Sequence, residues 1–202
     1  AATTSATAWS IDGSPQMTLY LPMEGAEPVA LADHSGNGNP AAVKNGDPAW
    51  TANSGHDGYG AYVFDGNDDL DGGEIFPTNS SYTKSAWVYR TGSGANGGNN
   101  IISGDEISGG HAFWAPNSYS NKLSAGHNQD WDFVQDDVAL ALNTWYHVAV
   151  TFDYATGEMV LYKNGAAVDS GTIVPSGPEP TGTAVKNVSD SSVSIGSFWA
   201  SN

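Results

Sequence analysis

The stretch Asn143-Thr-Trp-Tyr-His-Val-Ala-Val-Thr-Phe-Asp153 decides the fold of this 202-residue chain. Apolar side chains recur at every second position from Tyr146 to Phe152, which is the period of a strand with one buried face. Residues 154–157 end in a glycine and predict a hairpin loop, and Asn164-Gly165 supplies two residues that tolerate the positive φ angles of a type I′ turn. The sequence therefore predicts three consecutive hairpin-linked strands within residues 143–173.

Four further motifs occur in the order Asp33-His-Ser-Gly-Asn-Gly-Asn39, Ala61-Tyr-Val-Phe-Asp-Gly-Asn67, Tyr82-Thr-Lys-Ser-Ala-Trp-Val-Tyr89 and Ser194-Ile-Gly-Ser197. Together with the opening stretch they resemble the laminin G-like domains of the concanavalin A-like lectin/glucanase superfamily, over residues 17–198. The resemblance implies an all-β fold, an antiparallel β-sandwich of the jelly-roll type. It also implies a closing strand after residue 198, for which the sequence shows no counterpart. We expect that strand to be missing, or to be supplied by residues 9–22 or from elsewhere.

The composition fits one all-β domain over residues 1–202, with residues 1–16 as a lead-in or linker. Twenty-five glycines indicate many short strands joined by turns, and the absence of cysteine excludes disulfides and thiol catalysis. No stretch approaches the length of a membrane helix, so we expect no membrane insertion. Six basic residues against 22 acidic ones exclude nucleic-acid binding. The acidity suits either solubility alone, or divalent cations or a medium of high salt.

Two acidic loops are candidate calcium sites. Glycines at positions 36 and 38 let several oxygens converge in the first loop, and calcium needs six to eight oxygen ligands. By resemblance this loop holds a structural calcium, through Asp33, Asn37 and Asn39. Residues 65–74 carry five carboxylates that repel one another unless they are solvated or neutralised, and Asp68 and Asp69 are the metal candidates there. The alternative for both loops is an ordinary solvated turn.

Residues 101–134 combine aromatic rings with amides and carboxylates, which is typical of a site for a small polar ligand. Trp131 lies between two aspartates and is predicted to be exposed, whereas Trp114 is as consistent with core packing as with ligand contact. Trp87 resembles the core tryptophan of the family and is assigned to packing. The predicted ligand-binding residues are Asp105, His111, Trp114, His127, Asn128, Trp131 and Asp132.

Catalytic arrangements are absent from the sequence. No two glutamates lie two positions apart on a predicted strand, and the chain has a single arginine, at position 90, to neutralise a uronate. The sequence therefore predicts a non-catalytic, lectin-like carbohydrate-binding module whose partner is a glycan and whose calcium is structural. By analogy with related modules, it would belong to a larger multidomain protein, an adhesin, that is secreted or at the cell surface. The alternatives are an adhesion module that binds protein or peptide, and a polysaccharide-degrading enzyme domain.

Overall fold

A computed structural model describes residues 10–11, 14–92, 98–106, 109–127, 132–172 and 188–197. This part of the chain is built from short strands and two 3-10 turns, Val29–Leu31 and Asn117–Tyr119. The strands are β1 (Ser10–Ile11), β2 (Ser14–Pro15), β3 (Ala42–Asn45), β4 (Ala49–Thr51), β5 (Ala61–Val63), β6 (Asp69–Glu74), β7 (Tyr82–Tyr89), β8 (Ile102–Ser103), β9 (His111–Trp114), β10 (Lys122–His127), β11 (Asp132–Ala139), β12 (Trp145–Asp153), β13 (Glu158–Lys163), β14 (Ala166–Thr172) and β15 (Ser192–Ile195). No helix long and apolar enough to span a membrane occurs in the described part of the chain.

The first sheet contains the predicted hairpins, in the order β14-β13-β12-β7, and every pairing in it is antiparallel. The turn between β13 and β14 places Asn164 at φ 52° and Gly165 at φ 80°, as a type I′ turn requires. The prediction of three hairpin-linked strands is therefore confirmed.

The second sheet combines the order β3-β6-β15-β8 with the order β9-β10-β11. Two backbone hydrogen bonds join β8 to β9: the N–H of Ile101 donates to the carbonyl of Phe113 (2.8 Å), and the N–H of Gly104 donates to the carbonyl of His111 (2.7 Å). The two sheets pack face to face. The chain thus adopts the antiparallel β-sandwich that the sequence predicts.

The core lies between the sheets and follows the alternation of the strands. Val148, Val150 and Phe152 point inward from β12 and meet Phe113 and Leu123 from the opposite sheet. Burying each of these side chains contributes about 1.5–3 kcal/mol. A smaller cluster around Leu70 and Tyr62 supports the loops at one end.

Strand β7 lies at the border of its sheet, since among the described residues it pairs with β12 alone. Its other edge faces an open groove of about 2640 Å³, and residues 16–24 line part of that groove. Residues 17–22 form no strand, so they do not supply the closing strand that residues 9–22 could have provided. The reason is that the N–H of Tyr20 donates to Asp33 Oδ1 (3.0 Å) and its carbonyl accepts from His34 (2.8 Å), so these backbone groups bond to a loop instead of to a sheet.

Candidate functional site

The outward face of β7 and β12 carries a cluster of rings. Alternation turns Tyr82, Lys84, Ala86 and Val88 toward the interior, so that their neighbours along β7 point outward. The register sets the outward residues in direct cross-strand pairs, Trp87 with His147 and Tyr89 with Trp145. These four residues, together with His56 from the loop between β4 and β5, are called the aromatic platform below.

The rings of the platform touch one another while keeping exposed surface. The His56 ring stacks on Trp87 with 3.3 Å between centroids and 14° between planes. His147 contacts Trp87 edge-on at 5.2 Å, and Tyr89 contacts Trp145 at 5.2 Å. Trp87 is 47% exposed and Tyr89 is 42% exposed. Large aromatic side chains with this much free surface are not accounted for by core packing, which makes the platform a candidate binding surface.

Small hydroxyl-bearing side chains continue the outward face of β7 and β12 beside the platform. Ser85 pairs with Ala149 and Thr83 pairs with Thr151, all on the same face as Trp87. From Thr83 to Tyr89 the strand covers about 20 Å at the usual rise per residue. The surface therefore offers a row of hydroxyls that ends against a wall of indole and phenol rings.

This combination suits an extended ligand that has both hydroxyl groups and apolar C–H faces. Aromatic faces cover C–H surface, and neighbouring hydroxyls exchange hydrogen bonds with polar substituents. None of the five platform side chains is acidic, although acidic side chains also line the groove, among them Asp57, Asp153 and Glu158. The geometry therefore suits binding through ring contact and hydrogen bonding.

The assignment of Trp87 to the core is wrong. Because Lys84, Ala86 and Val88 face inward, the period of two leaves position 87 on the outer face. The signal that could have revealed the platform lies in the opening stretch itself. Trp145 and His147 alternate with the core residues Val148 and Val150, so their side chains lie on the outer face of β12. A tryptophan on the outer face of a strand is a binding candidate.

His111 and His127 were predicted to contact a ligand, and the structure contradicts this, because both side chains are 0% exposed. His111 Nδ1 lies 2.5 Å from Lys84 Nζ, and its Nε2 lies 3.0 Å from the carbonyl of Ser192. The hydroxyl of Tyr82 is hydrogen-bonded to His127 Nε2 at 2.7 Å. Both imidazoles point inward from their strands and satisfy polar groups of the core.

The other predicted ligand residues have mixed positions. Trp114 points outward from β9, is 6% exposed and lines a small pocket. Asp105 forms an ion pair with Lys44. Asp132 begins β11. Asn128 and Trp131 lie outside the described residues. Of the predicted ligand residues that the structure describes, Trp114 alone lines the small pocket.

The loop predicted to bind calcium is closed by hydrogen bonds. Asp33 Oδ1 accepts from the N–H groups of Tyr20 (3.0 Å) and Ser35 (2.8 Å), while Oδ2 accepts from the hydroxyl of Ser35 (2.7 Å) and the N–H of Asn39 (2.9 Å). A carboxylate has about four lone-pair positions, and all four are used here. Burial raises the pKa of Asp33, but these hydrogen bonds outweigh it and hold the pKa below its usual range.

The asparagines of this loop likewise bond within the protein. The side-chain amide of Asn37 donates to the carbonyl of Met17 (2.7 Å), and that of Asn39 donates to the carbonyl of Thr18 (3.2 Å). The side chains predicted to bind calcium at this loop are thus engaged in hydrogen bonds within the protein, and calcium binding here stays a prediction.

The second predicted calcium loop differs from the first in that one of its carboxylate oxygens has no hydrogen-bond partner. Asp68 accepts from the N–H groups of Asp47 and Asp65, both at 2.8 Å. Asp69 is 2% exposed and accepts a hydroxyl of Ser197 at 2.8 Å through Oδ2, while its Oδ1 is buried without a hydrogen-bond partner. In the described part of the chain, no group of three or more His, Asp or Glu side chains could hold a metal ion. Calcium at Asp69 stays a prediction.

Comparison with known proteins identifies the family. The sequence profile of a laminin G-like family of the concanavalin A-like lectin/glucanases superfamily matches residues 57–200, and the chain belongs to this family. A search of curated protein sequences finds no match.

Among solved structures, the chain is similar to domain 4 of AbnA, a GH43 extracellular arabinanase from Geobacillus stearothermophilus, in complex with arabinotriose. The TM-score is 0.61 at 19% identity, over 85% of this chain and 80% of that one. The carbohydrate-binding module CBM66 from Bacillus subtilis matches at a TM-score of 0.44 and 11% identity, over 76% and 90%. A putative carbohydrate-binding protein from Bacteroides ovatus matches at 0.44 and 22%, over 59% and 32%. At 19% identity, the similarity to the arabinanase domain shows the fold alone.

Proposed function

We propose that this chain is a non-catalytic carbohydrate-binding module that holds an extended glycan along the aromatic platform. The observation that carries the proposal is the exposed cluster of Trp87, Tyr89, Trp145, His56 and His147 beside a row of hydroxyls. A pyranose or furanose ring has one face rich in C–H groups, and its hydroxyls radiate from the edge. Such a ring can lie against an indole face while its edge hydrogen-bonds to serine and threonine.

The fold supports this proposal without identifying the sugar. Domain 4 of the arabinanase carries an arabinose oligosaccharide on the same fold, with a TM-score of 0.61 to this chain. A fold hosts many functions, so the assignment to carbohydrate depends on the platform and on its chemistry.

The acidic residues along the groove favour binding over hydrolysis. A retaining glycosidase places two carboxyl groups about 5–5.5 Å apart, one of them with its pKa raised by burial. Asp153 and Glu158 form a direct cross-strand pair at the end of the hairpin, and both are exposed. Asp153 also accepts the N–H of Ala155 at 2.8 Å, which is a turn contact. Both carboxyls lie at the groove without being buried, so neither is prepared as a general acid in the way that burial would prepare it.

We further propose the setting in which such a module would act. The resemblance to laminin G-like domains and the cysteine-free, acidic composition support a place in a larger secreted or cell-surface protein, where glycan binding would serve adhesion. The competing proposal is an adhesion module that binds protein. It uses the same exposed rings of the platform, but those rings would contact a protein surface instead of a glycan.

The test is Trp87→Ala with a panel of soluble polysaccharides in affinity gel electrophoresis. Losing one stacked ring should weaken glycan binding about 10- to 100-fold, corresponding to about 1.5–3 kcal/mol. The melting temperature should change little because the indole is 47% exposed. Val138→Ala, at a 63% exposed apolar residue on another strand, is the matched control and should leave binding intact.

Retained binding by Trp87→Ala would remove the platform from the proposal. A panel without a single bound polysaccharide, together with binding of the platform to a protein surface, would favour the protein-binding alternative. Release of reducing ends from a bound polysaccharide would show that the domain is an enzyme.

A further inference from the structure

A second, smaller cavity lies on the outer face of the other sheet, beside β9. Its volume is about 210 Å³, and Trp114 and Tyr119 form its walls. Asn100, Ser118 and Ala112 also line it. The volume is below the range of about 300–1,000 Å³ that is typical for drug-sized ligands, so the cavity suits a smaller group.

The two walls are held in place by a third ring. Tyr119 stacks on Phe133 at 5.1 Å between centroids, with 21° between planes. Trp114 contacts the same Phe133 edge-on at 6.0 Å. Phe133 points outward from β11 opposite Gly126, and this glycine leaves room above β10 for the rings. The cavity is therefore preformed, which lowers the entropic cost of binding.

The cavity offers free hydrogen-bonding groups. Asn100 Oδ1 accepts the hydroxyl of Ser103 at 3.2 Å, which orients the side chain and leaves its amide N–H₂ without an acceptor among the described residues. Gly98 lies directly beside this amide: a Cβ atom added at Gly98 would be only 2.9 Å from Asn100 Nδ2, so a larger residue at this position would crowd the amide. The hydroxyls of Ser118 and Tyr119 likewise have no hydrogen-bond partner within the described ranges. An unpaired amide next to two aromatic rings is suited to a hydroxylated ligand.

The cavity also indicates the charge of its ligand. No charged side chain is among the residues that line it in the described part of the chain. A carboxylate or ammonium group would lose solvation here without gaining an ion pair.

We infer that this cavity, walled by Trp114 and Tyr119, is a second subsite that binds one uncharged sugar ring. The inference rests on the proposed function, because it assigns a further part of a glycan ligand to the same module. A chain end or a side branch fits such a cavity, since only one ring can enter. The platform on the first sheet would bind along a glycan chain, while this subsite would select a terminal residue.

The experiment uses the full chain labelled with ¹⁵N and a panel of neutral methyl monoglycosides: arabinofuranoside, glucopyranoside, galactopyranoside, mannopyranoside and xylopyranoside. We expect at least one glycoside to shift the amide signals of Asn100 and Tyr119. Tyr119→Ala should weaken that binding about tenfold, which corresponds to about 1.4 kcal/mol. Asn100→Ala is the second variant, because Tyr119 also packs on Phe133 and its removal could disturb the fold. Val138→Ala is the control.

The outcomes separate the two proposals. Shifts at Asn100 and Tyr119 that persist in Trp87→Ala and weaken in both cavity variants support the second subsite. Shifts confined to Trp87 and Trp145 overturn the subsite and leave the proposed function standing. Shifts at the cavity without polysaccharide binding at the platform retain the subsite and overturn the platform. If no glycoside shifts any signal, the subsite is overturned, and the polysaccharide panel alone then decides the proposed function.

Discussion

Lys84 is a lysine inside an apolar core, 5% exposed on the inward face of β7. Its Nζ donates to the carbonyl of Ile102 at 3.1 Å and lies 2.5 Å from His111 Nδ1. Burial lowers the pKa of Lys84 well below its usual value, and the charge of Asp190 opposes that shift only in part. Burial and the neighbouring Lys84 also lower the pKa of His111. This arrangement favours neutral partners, with the amine donating to imidazole Nδ1 and Nε2–H donating to Ser192.

The two lowered pKa values predict how stability changes with pH. In the unfolded chain Lys84 binds a proton below about pH 10.4 and His111 below about pH 6.5, whereas the folded state resists both protons. The free energy of unfolding should therefore fall as the pH drops from about 10 toward the lowered pKa of Lys84, and again below about pH 6.5.

Lys84→Met is the variant that tests this prediction. It removes one titration, so the slope of unfolding free energy against pH should flatten between about pH 7 and 10, as measured by urea denaturation. Lys122→Met, at the start of β10 in the opposite sheet, is the control and should keep the wild-type slope. Equal slopes in Lys84→Met and wild type would show that this amine is protonated in the folded state.

The loop of residues 33–39 is an element held together by hydrogen bonds to one carboxylate. Asp33 accepts four bonds and connects Tyr20 to Ser35 and Asn39. Asp33→Ala should destabilise the protein by about 1–3 kcal/mol, because partly buried N–H groups lose their acceptor. The pKa of Asp33 is lowered, so its contribution is present above pH 3.8 and is lost as the pH falls through the folded value.

Calcium and a chelator distinguish the two roles of this loop. If Asp33 acts through hydrogen bonds, the loss of melting temperature in Asp33→Ala should be the same with 1 mM calcium and with EDTA. A loss that appears only in the presence of calcium would restore the ion to this loop. If EDTA lowers the melting temperature of the wild type and of Asp33→Ala by the same amount, the ion would instead bind near Asp69, whose Oδ1 is buried without a hydrogen-bond partner.

The sequence allows prediction of elements whose signals are local. β12, β13 and β14 follow from a period of two and from the turn at Asn164-Gly165, because each depends on neighbours a few residues away. The position of β15 between β6 and β8 depends on pairing with residues about 90–120 positions earlier, and no local pattern encodes it. For the same reason the partners of His111 and His127 are not predictable from their own segments.

The candidate site likewise has one part that local sequence patterns predict and another that depends on contacts between distant segments. Trp145 and His147 are outward by alternation alone, so their half of the platform follows from the sequence. The stacking of His56 on Trp87 joins residues on separate elements, and a sequence motif carries no information on that contact. The sequence names Trp114 as a candidate, whereas Tyr119, which lines the same cavity, lies near it only through the 3-10 turn of residues 117–119.

At the scale of the whole molecule, a formal charge of −16 acts on every ligand that approaches. Glycans that carry uronates or sulfates are repelled, and the repulsion is screened beyond a Debye length of about 10 Å at 0.1 M salt. We therefore expect neutral polysaccharides such as arabinan, xylan or β-glucan to bind better than polygalacturonate. The preference should be largest at low ionic strength, as measured by affinity electrophoresis at 10 mM and 300 mM sodium chloride. Tighter binding of polygalacturonate at low salt than at high salt would contradict this expectation.

The stacking of His56 on Trp87 has an optical consequence. Trp87 and Trp145 are partly open to water, and their emission depends on what contacts them, whereas Trp114 is 6% exposed. A ring that settles on the platform would displace water and alter the contact with the imidazole at the same moment. The intrinsic fluorescence of the protein would then report occupancy directly, with no dye attached and no competitor needed.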